Sequence, residues 1–498
     1  MSIGSFKAAL LGAAGSGGET FWAGFYYVYQ SSQEGSRYTS GDIDSEGNIV
    51  VLVNNWYNNG PTGVTIDGGP TPAVLADTGG YYSGLNNMFQ NATVRVRDDG
   101  KIAAAFASYG KCYYHLHTSV TDWSFVSGFD PYYYSGAIGT DNPPSASKGR
   151  CMDSHSNADY TGWTSYYAGG AQFRPEAAKQ RDSGTSGNVP YRWSGSRTGN
   201  DEAAYTISFN SESSKLRLCS SEETGSSVFP IQFLGFDSTT ASPGSGGTTR
   251  AALTASGVGY RDMHYNARSG YDTAGYLAAT ISQPNTKYGL MVAKATSADS
   301  PASLAWSRRV QIGSPAYTYS DAPGPCSDPV VDSAGNIYVA YFTKLLNPNQ
   351  NCYVIHSWQN DGTYRWGRTL RMEGTSGYQW AGPSAADLMV TADDTLVFVG
   401  VGGMTSSSNN HPAVLVARLP SDGSLTSSTP VQPRGDTTCE IYWENDLTGN
   451  WAPSESAGLL TSTTDTNEAM NSGTATTTNV VETVGTNTRN FGQAEVTG

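Results

Sequence analysis

The chain has 498 residues, a net charge of −14 and 14% charged residues, with 58 Gly and 31 Tyr. That mixture disfavours long helices and suits turns and half-buried strands, while 38% hydrophobic residues with 11% aromatics suffice for a packed interior. The negative balance, with no Lys/Arg stripe, argues against nucleic acid and anionic membrane surfaces as partners, and no run approaches the roughly 18 apolar residues of a membrane-spanning helix.

At the N-terminus, Lys7 followed by the Ala- and Gly-rich run Ala8–Ala14 imitates a signal peptide. The run is short and no cleavage box follows it, so residues 1–20 read as a docking arm. Phe21-Trp22-Ala23-Gly24-Phe25-Tyr26-Tyr27 then reads as a Trp-led apolar strand with nothing before it to pair with.

From there a repeat organises the chain. Val330-Val331-Asp332-Ser333-Ala334-Gly335-Asn336-Ile337-Tyr338-Val339-Ala340 reads as strand, tight Asp/Gly turn and alternating strand, a β-hairpin. The same grammar stands at Ile43–Val51, Val96–Ala104 and Asp272–Ala279, and in weaker form at Val390–Phe398, Phe209–Leu218 and Met152–Asn157. Turns centred on residues 47, 100, 156, 214, 275, 335 and 394 are spaced by 53, 56, 58, 61, 60 and 59. Third strands follow at Leu290–Lys294, Tyr353–Ser357 and Val414–Arg418, each before a second turn at Asp299-Ser300-Pro301, Asp361-Gly362-Thr363 or Asp422-Gly423-Ser424. Trp306-Ser307-Arg308 and Trp366-Gly367-Arg368, sixty residues apart, lead fourth strands. One four-stranded antiparallel blade per sixty residues predicts an all-β fold, a seven-bladed β-propeller over residues 21–427. Because the last blade ends at Gly423–Thr426 without a Trp-led strand, the N-terminal strand is expected to complete it and remove the free edge.

Residues 124–150, 174–200 and 240–250 exceed what strands need and read as loops on the propeller faces. Beyond 427 the grammar changes: Leu460 to Phe491 holds eleven Thr and no hairpin signal. Composition would leave this stretch disordered. Residues 428–498 are therefore read as an extension ordered by contact with a partner subunit.

Chemistry is sparse. Asp44, Asp98, Asp272, Asp332, Asp361 and Asp422 sit where turn-initiating Asp belongs. Asp42–Gly47 opens like a calcium loop, but Val53 stands where the bidentate Glu is needed. Asp328 and Asp387 fall at one register of neighbouring blades, on the strand expected innermost, and read as polar lining of the central channel. No other blade shows Asp at that register. His115 and His117 share a strand face, a metal pair without a visible third ligand. Cys112, Cys151, Cys219, Cys326, Cys352 and Cys439 form no CxxC and read as small buried residues, with a single bridged pair left open. No nucleophile elbow, zincin, phosphate-loop or dinucleotide motif is found, and Asn360–Trp366 only approximates a sialidase box. Exposed Tyr on loops suits glycan or protein surfaces, which singles out Tyr132, Tyr133 and Tyr134 after Asp130-Pro131. The doublets Tyr81-Tyr82, Tyr113-Tyr114 and Tyr166-Tyr167 read first as strand packing.

The opening Met1–Ala14, the Asp332–Val339 hairpin with the Trp-x-Arg strands at 306 and 366, and the polar trailing segment from Trp451-Ala452-Pro453-Ser454-Glu455-Ser456-Ala457-Gly458 resemble the β-propeller virion proteins of marine and cyanobacterial tailed phages. Residues 124–250 match that group poorly. The resemblance implies a non-enzymatic, tail-associated structural protein of the extracellular virion, with no catalytic, cofactor-binding or metal-binding residues to carry over. Its expected partners are other virion proteins, copies of itself and a host surface glycan. Two rivals stand beside it: a secreted polysaccharide-degrading enzyme with its site in the 124–200 loops, and a surface adhesin.

Overall fold

A computed structural model describes residues 22–28, 36–55, 62–69, 73–78, 89–108, 111–129, 132–133, 152–155, 158–167, 172–179, 191–194, 201–210, 215–223, 231–237, 250–254, 259–267, 271–283, 287–301, 303–312, 326–346, 349–374, 378–379, 386–405, 410–424, 439–445, 461–465, 471–472, 476–477 and 491–494. Among these residues there is no helix, and so none long and apolar enough to cross a membrane.

Strand β1 spans Trp22–Val28. Sheet one holds β2 (Ser36–Ile43), β3 (Ile49–Asn55), β4 (Thr62–Ile66) and β5 (Val74–Asp77), and sheet two holds β6 (Phe89–Val96), β7 (Ile102–Ser108), β8 (Lys111–Ser119) and β9 (Asp122–Phe129). After the short β10 (Tyr132–Tyr133), sheet three holds β11 (Met152–His155), β12 (Ala158–Tyr167), β13 (Gln172–Lys179) and β14 (Tyr191–Ser194). Sheet four holds β15 (Asp201–Asn210), β16 (Lys215–Glu223), β17 (Ile231–Asp237) and β18 (Arg250–Thr254). Sheet five holds β19 (Gly259–Asn266), β20 (Tyr276–Gln283), β21 (Lys287–Ala295) and β22 (Leu304–Ile312). Sheet six holds β23 (Val330–Val331), β24 (Ile337–Leu346), β25 (Asn349–Trp358) and β26 (Tyr364–Gly374). Sheet seven holds β27 (Tyr378–Gln379), β28 (Asp387–Val390), β29 (Leu396–Thr405) and β30 (Asn410–Leu419), with β1 beside β30. Consecutive antiparallel sheets of this kind are the organisation of a β-propeller.

The first hairpins form because each turn closes the same way. Gly47, Gly100 and Gly335 have φ of 89°, 78° and 82°, and their N–H groups donate to the carbonyls of Asp44, Arg97 and Asp332 at 2.9–3.2 Å. In sheet seven Asp394 takes that place at φ 61°, a left-handed conformation that Asp tolerates better than most residues. Asp332 Oδ1 accepts the N–H groups of Ala334 and Asn336 at 3.0 and 2.8 Å, and Asp44 does the same for Glu46 and Asn48.

In sheets one and six the second strand is apolar on both faces because both are covered. Ile337, Val339 and Tyr341 pack toward sheet five, whereas Tyr338, Ala340 and Phe342 pack toward sheet seven. Val50 and Leu52 face sheet two, while Ile49 and Val51 meet Met389, Val397 and Val399 of sheet seven. The core is thus a series of apolar layers between sheets, and the last sheet packs on the first. Each fully buried Val, Leu, Ile or Phe contributes about 1.5–3 kcal/mol.

Strand β1 pairs antiparallel with β30, with Trp22 opposite Arg418. Trp306 stands opposite Lys294 and Trp366 opposite Ser357 in the same register, so the N-terminal strand takes the Trp-led position that the repeat leaves open.

Three expectations need correction. Residues 124–129 belong to β9, and 174–179 and 191–194 to β13 and β14, not to loops. The polar content of these strands and Pro175 hid them, because Pro interrupts a strand pattern. Sheet pairing also continues past 427: β31 (Cys439–Asn445) is a fifth strand on β26, β32 (Thr461–Asp465) on β18, β33 (Asn471–Ser472) on β14 and β35 (Phe491–Ala494) on β1, while β34 (Thr476–Thr477) pairs with β10. Edge pairing uses main-chain groups, so side-chain composition gave no sign of it. Cys219, Cys326 and Cys352 are buried and take part in no disulfide. The turns placed at 156 and 214 lie outside the described residues.

Candidate functional site

The innermost strands line a cavity of about 200 Å³, room for several waters. Every one of the seven sheets contributes: Asp42 from sheet one, Arg95 from sheet two, Asp153 from sheet three, Ser208 from sheet four, Asn266 from sheet five, Asp328 from sheet six and Met389 from sheet seven. The lining mixes these polar groups with apolar ones such as Ile207, Val331 and Met389. Buried polar groups must then find hydrogen bonds.

They find them in the neighbouring sheet. Asp42 Oδ2 accepts the N–H of Val96 at 2.8 Å, Asp153 Oδ2 that of Phe209 at 2.7 Å, and Asp387 Oδ2 that of Gly41 at 2.8 Å. Ser40, Thr206 and Ser208 hydroxyls accept the N–H groups of Val94, Tyr265 and Ala267 at 3.1, 3.0 and 2.8 Å. Between sheets five and six the pattern reverses, since Pro329 has no N–H: Asn266 Nδ2 donates to the Pro329 carbonyl at 2.9 Å.

Arg95, 3% exposed, is the cation of this ladder. Its Nε lies 3.7 Å from Asp153 Oδ1 and its Nη2 lies 3.8 Å from Asp328 Oδ2, and Nη1 donates to the Val94 carbonyl. His264 Nδ1 donates to Asp328 Oδ1 at 2.6 Å. Beside the axis, the buried Asp159 accepts from Arg97 Nη1 at 3.2 Å, from Ser154 Oγ at 2.5 Å and from the Tyr114 hydroxyl. Chemically, the axis offers committed carboxylates around one guanidinium: a rigid polar seam with room for water.

Asp328 precedes β23 by two residues, and Asp387 opens β28. Asp328 borders the cavity, whereas the carboxylate of Asp387 is turned onto sheet one. Asp42 and Asp153 border the same cavity. They sit at other offsets from their turns and were passed over. Arg95 was missed as well, although Val94-Arg95-Val96-Arg97 before a hairpin carried the signal: alternating cations on an innermost strand need buried partners. Tyr132 and Tyr133 form β10, opposite Thr477 and Thr476, and Tyr134 lies outside the described residues.

His115 and His117 are buried on β8. Burial lowers His115 to about 3, with the neighbouring His117 adding to the shift. Burial lowers His117 to about 4, opposed by its hydrogen bond to the Trp123 carbonyl. That bond, at 2.8 Å from Nδ1, and the edge-on Trp123 ring 5.0 Å away hold His117 as a neutral core residue. Among the described residues no group of three His, Cys, Asp or Glu side chains is placed to hold a metal ion. Burial also raises the Tyr265 and Tyr338 hydroxyls, the latter further through its hydrogen bond to Asp332.

On the outer side, Trp306 Nε1 donates to the Asn360 carbonyl and Arg308 Nε to that of Gly362, both at 2.9 Å. One sheet on, Arg368 Nε donates to the Gly423 carbonyl at 2.6 Å. Each guanidinium lies over its Trp ring, at 5.7 and 5.8 Å. The Trp-x-Arg pair is thus a clamp from one sheet onto the second turn of the next.

No protein-family model matches the chain, and no curated protein matches it. Solved structures with some likeness include the WD40 domain of SCAP from fission yeast, at 9% identity and TM-score 0.38 over 84% of this chain and 96% of that one. The NanB sialidase from Streptococcus pneumoniae gives 12% and 0.36 over 80% and 71%. A lectin from Aleuria aurantia in complex with α-methyl-L-fucoside gives 14% and 0.30 over 67% and 93%. At these TM-scores the likenesses carry no argument about this chain, whose fold rests on its own strand pairing.

Proposed function

We propose that the chain is a seven-bladed β-propeller closed by its N-terminal strand, and that it serves as a non-catalytic structural component of a phage virion, in or on the tail, contacting host-surface glycans. Seven multi-stranded sheets and the register of β1 on β30 support the architecture. The observation that carries the non-catalytic reading is the axial ladder. A catalytic carboxylate must exchange protons with substrate, whereas Asp42, Asp153 and Asp387 each commit an oxygen to main-chain N–H groups of another sheet. Arg95 and His264 answer Asp153 and Asp328. These groups hold sheets together. The virion placement rests on the resemblance of the two ends and the hairpins, and the glycan contact on the Tyr132–Tyr134 cluster.

The test is binding of the full chain to a glycan array, with turnover of any bound glycan measured in parallel and immunogold labelling of purified particles. Binding without turnover, weakened by Tyr132→Ala and Tyr133→Ala, together with gold on the tail, is expected. Turnover abolished by Asp153→Asn would replace this reading with the enzyme. Unlabelled particles with the protein free in the medium would remove the virion role.

A further inference from the structure

The axial cavity differs between its mouth and its interior. Ile43, Val331 and Val390 line it immediately before the turns Asp44–Gly47, Asp332–Gly335 and Thr391–Asp394, and each is only half-buried, as is Asp42 beside Ile43. Arg95, Asp153, Ser208 and Asp328 line it while only 3–5% exposed. The cavity therefore opens at the face of those turns, through an apolar rim, onto a polar interior. Arg95 of sheet two lies near both Asp153 of sheet three and Asp328 of sheet six, so its side chain reaches across the axis inside that mouth.

Two lining groups keep hydrogen-bonding capacity for an occupant. Ser208 accepts the Ala267 N–H, and its own proton meets no acceptor among the described residues. A buried donor left unmatched costs free energy. Asp42 spends one oxygen on the Val96 N–H, and a carboxylate has about four acceptor sites. The two side chains belong to sheets four and one, so a donor and an acceptor meet the space from different sheets.

The other contents of the wall narrow the occupant. Asp42, Asp153 and Asp328 outnumber Arg95, which disfavours an anion. No group of three His, Cys, Asp or Glu side chains is placed to hold a metal ion among the described residues. The volume of about 200 Å³ falls below the roughly 300–1,000 Å³ of pockets for drug-sized ligands, which limits the occupant to one small ring. A sugar ring meets these terms: its hydroxyls both donate and accept, and its C–H faces suit the rim of Ile43, Val331 and Val390.

We propose that the axial cavity is a pocket for a single neutral sugar ring, entered from the face of those turns, with Asp42 and Ser208 as polar contacts. The ring belongs either to a free monosaccharide or to the end of a glycan. The choice of sugar rests on the glycan-contact reading above, at a site separate from Tyr132 and Tyr133. Tyr271 stands on the same face, 38% exposed with its ring against Gly335, an aromatic surface suited to the next residue of a glycan.

The experiment is titration calorimetry of the full chain with the methyl glycosides of glucose, galactose, mannose and rhamnose, and with trisaccharides ending in the tightest binder. Binding of at least one glycoside at one site per chain is expected. It should weaken at least tenfold in Asp42→Asn, whose amide oxygen still accepts the Val96 N–H, and in Val331→Phe, which narrows the mouth and leaves the polar groups in place. A trisaccharide bound more tightly than its glycoside, with the gain lost in Tyr271→Ala, assigns the pocket to a glycan end. A trisaccharide bound more weakly assigns it to a free sugar. No glycoside binding, or binding indifferent to both pocket variants, would overturn the pocket. Retained binding to a glycan array would then leave the contact at Tyr132 and Tyr133 standing. Glycoside binding lost in Tyr132→Ala/Tyr133→Ala but kept in both pocket variants would also overturn the pocket, by giving the sugar to that cluster.

Discussion

Two stretches solve the same junction problem in opposite directions. Between sheets five, six and seven, an outer-strand Trp reaches forward: Trp306 lies against Gly362 and Trp366 against Gly423, where an added Cβ would meet the ring at 2.8 and 2.6 Å. Between sheets one and two the reach is backward. Trp123, on the outermost strand of sheet two, covers Gly63 of sheet one, with its Nε1 donating to Thr65 Oγ1 at 3.0 Å. Both junctions need an indole over a position with no side chain. Only the forward version repeats in sequence, because β5 (Val74–Asp77) carries no Trp to lead it.

The sharpest test of this difference is Trp366→Ala. Trp366 touches Trp443 edge-on at 6.2 Å as well as covering Gly423, so its loss should cost about 3–5 kcal/mol in denaturant unfolding. Trp306, only partly buried and, among the described residues, without a fifth strand on its sheet, should cost measurably less. Equal losses would show that β31 adds nothing to the junction.

Gly423→Ala or Gly362→Ala combines a left-handed backbone, at φ 73° and 83°, with a Cβ inside an indole. A loss of about 2–4 kcal/mol is expected. Gly63→Ala meets the Trp123 ring at 2.2 Å without a left-handed backbone, so about 1–3 kcal/mol is expected. If it matched Gly423→Ala, backbone strain would have no part in the comparison.

The backward junction carries an acid sensitivity of its own, through His117 beside Trp123 and its neighbour His115. Both are lowered in the folded state, to about 4 and about 3, so the unfolded chain binds more protons below pH 6.5. Their stabilisation is complete above that pH and is lost as pH falls toward the folded values, each with a slope approaching about 1.4 kcal/mol per pH unit. Urea midpoints between pH 7 and 5 should drop accordingly, and a His115→Phe/His117→Phe chain should lose that slope. An unchanged slope would place the acid sensitivity elsewhere. The smallest effect belongs to Gly47→Ala, whose Cβ meets nothing within 4 Å: about 1–2 kcal/mol from left-handed backbone alone.

How far the fold could be read followed the kind of interaction involved. Hairpins at Asp44–Gly47 and Asp332–Gly335 were legible because an Asx turn and a left-handed glycine each demand particular residues at fixed spacing. The place of Trp22 was legible because an incomplete repeat names its missing piece. The shared register of Asp328 and Asp387 was legible. The ladder they belong to was not, since Asp42, Asp153, Ser208 and Asn266 share no residue type. They share a position facing the next sheet, and any short acceptor or donor there serves.

The sequence by itself determined what is local and periodic: all-β structure, sheets of about sixty residues, their turns, and a first strand without a partner in its own neighbourhood. Only the tertiary structure decided which inner polar groups meet, why Arg95 stands between Asp153 and Asp328, and where the Thr-rich end returns to pair. Those contacts join residues distant in the chain through main-chain hydrogen bonds and charge pairs, and neither leaves a periodic mark on the side chains that form it.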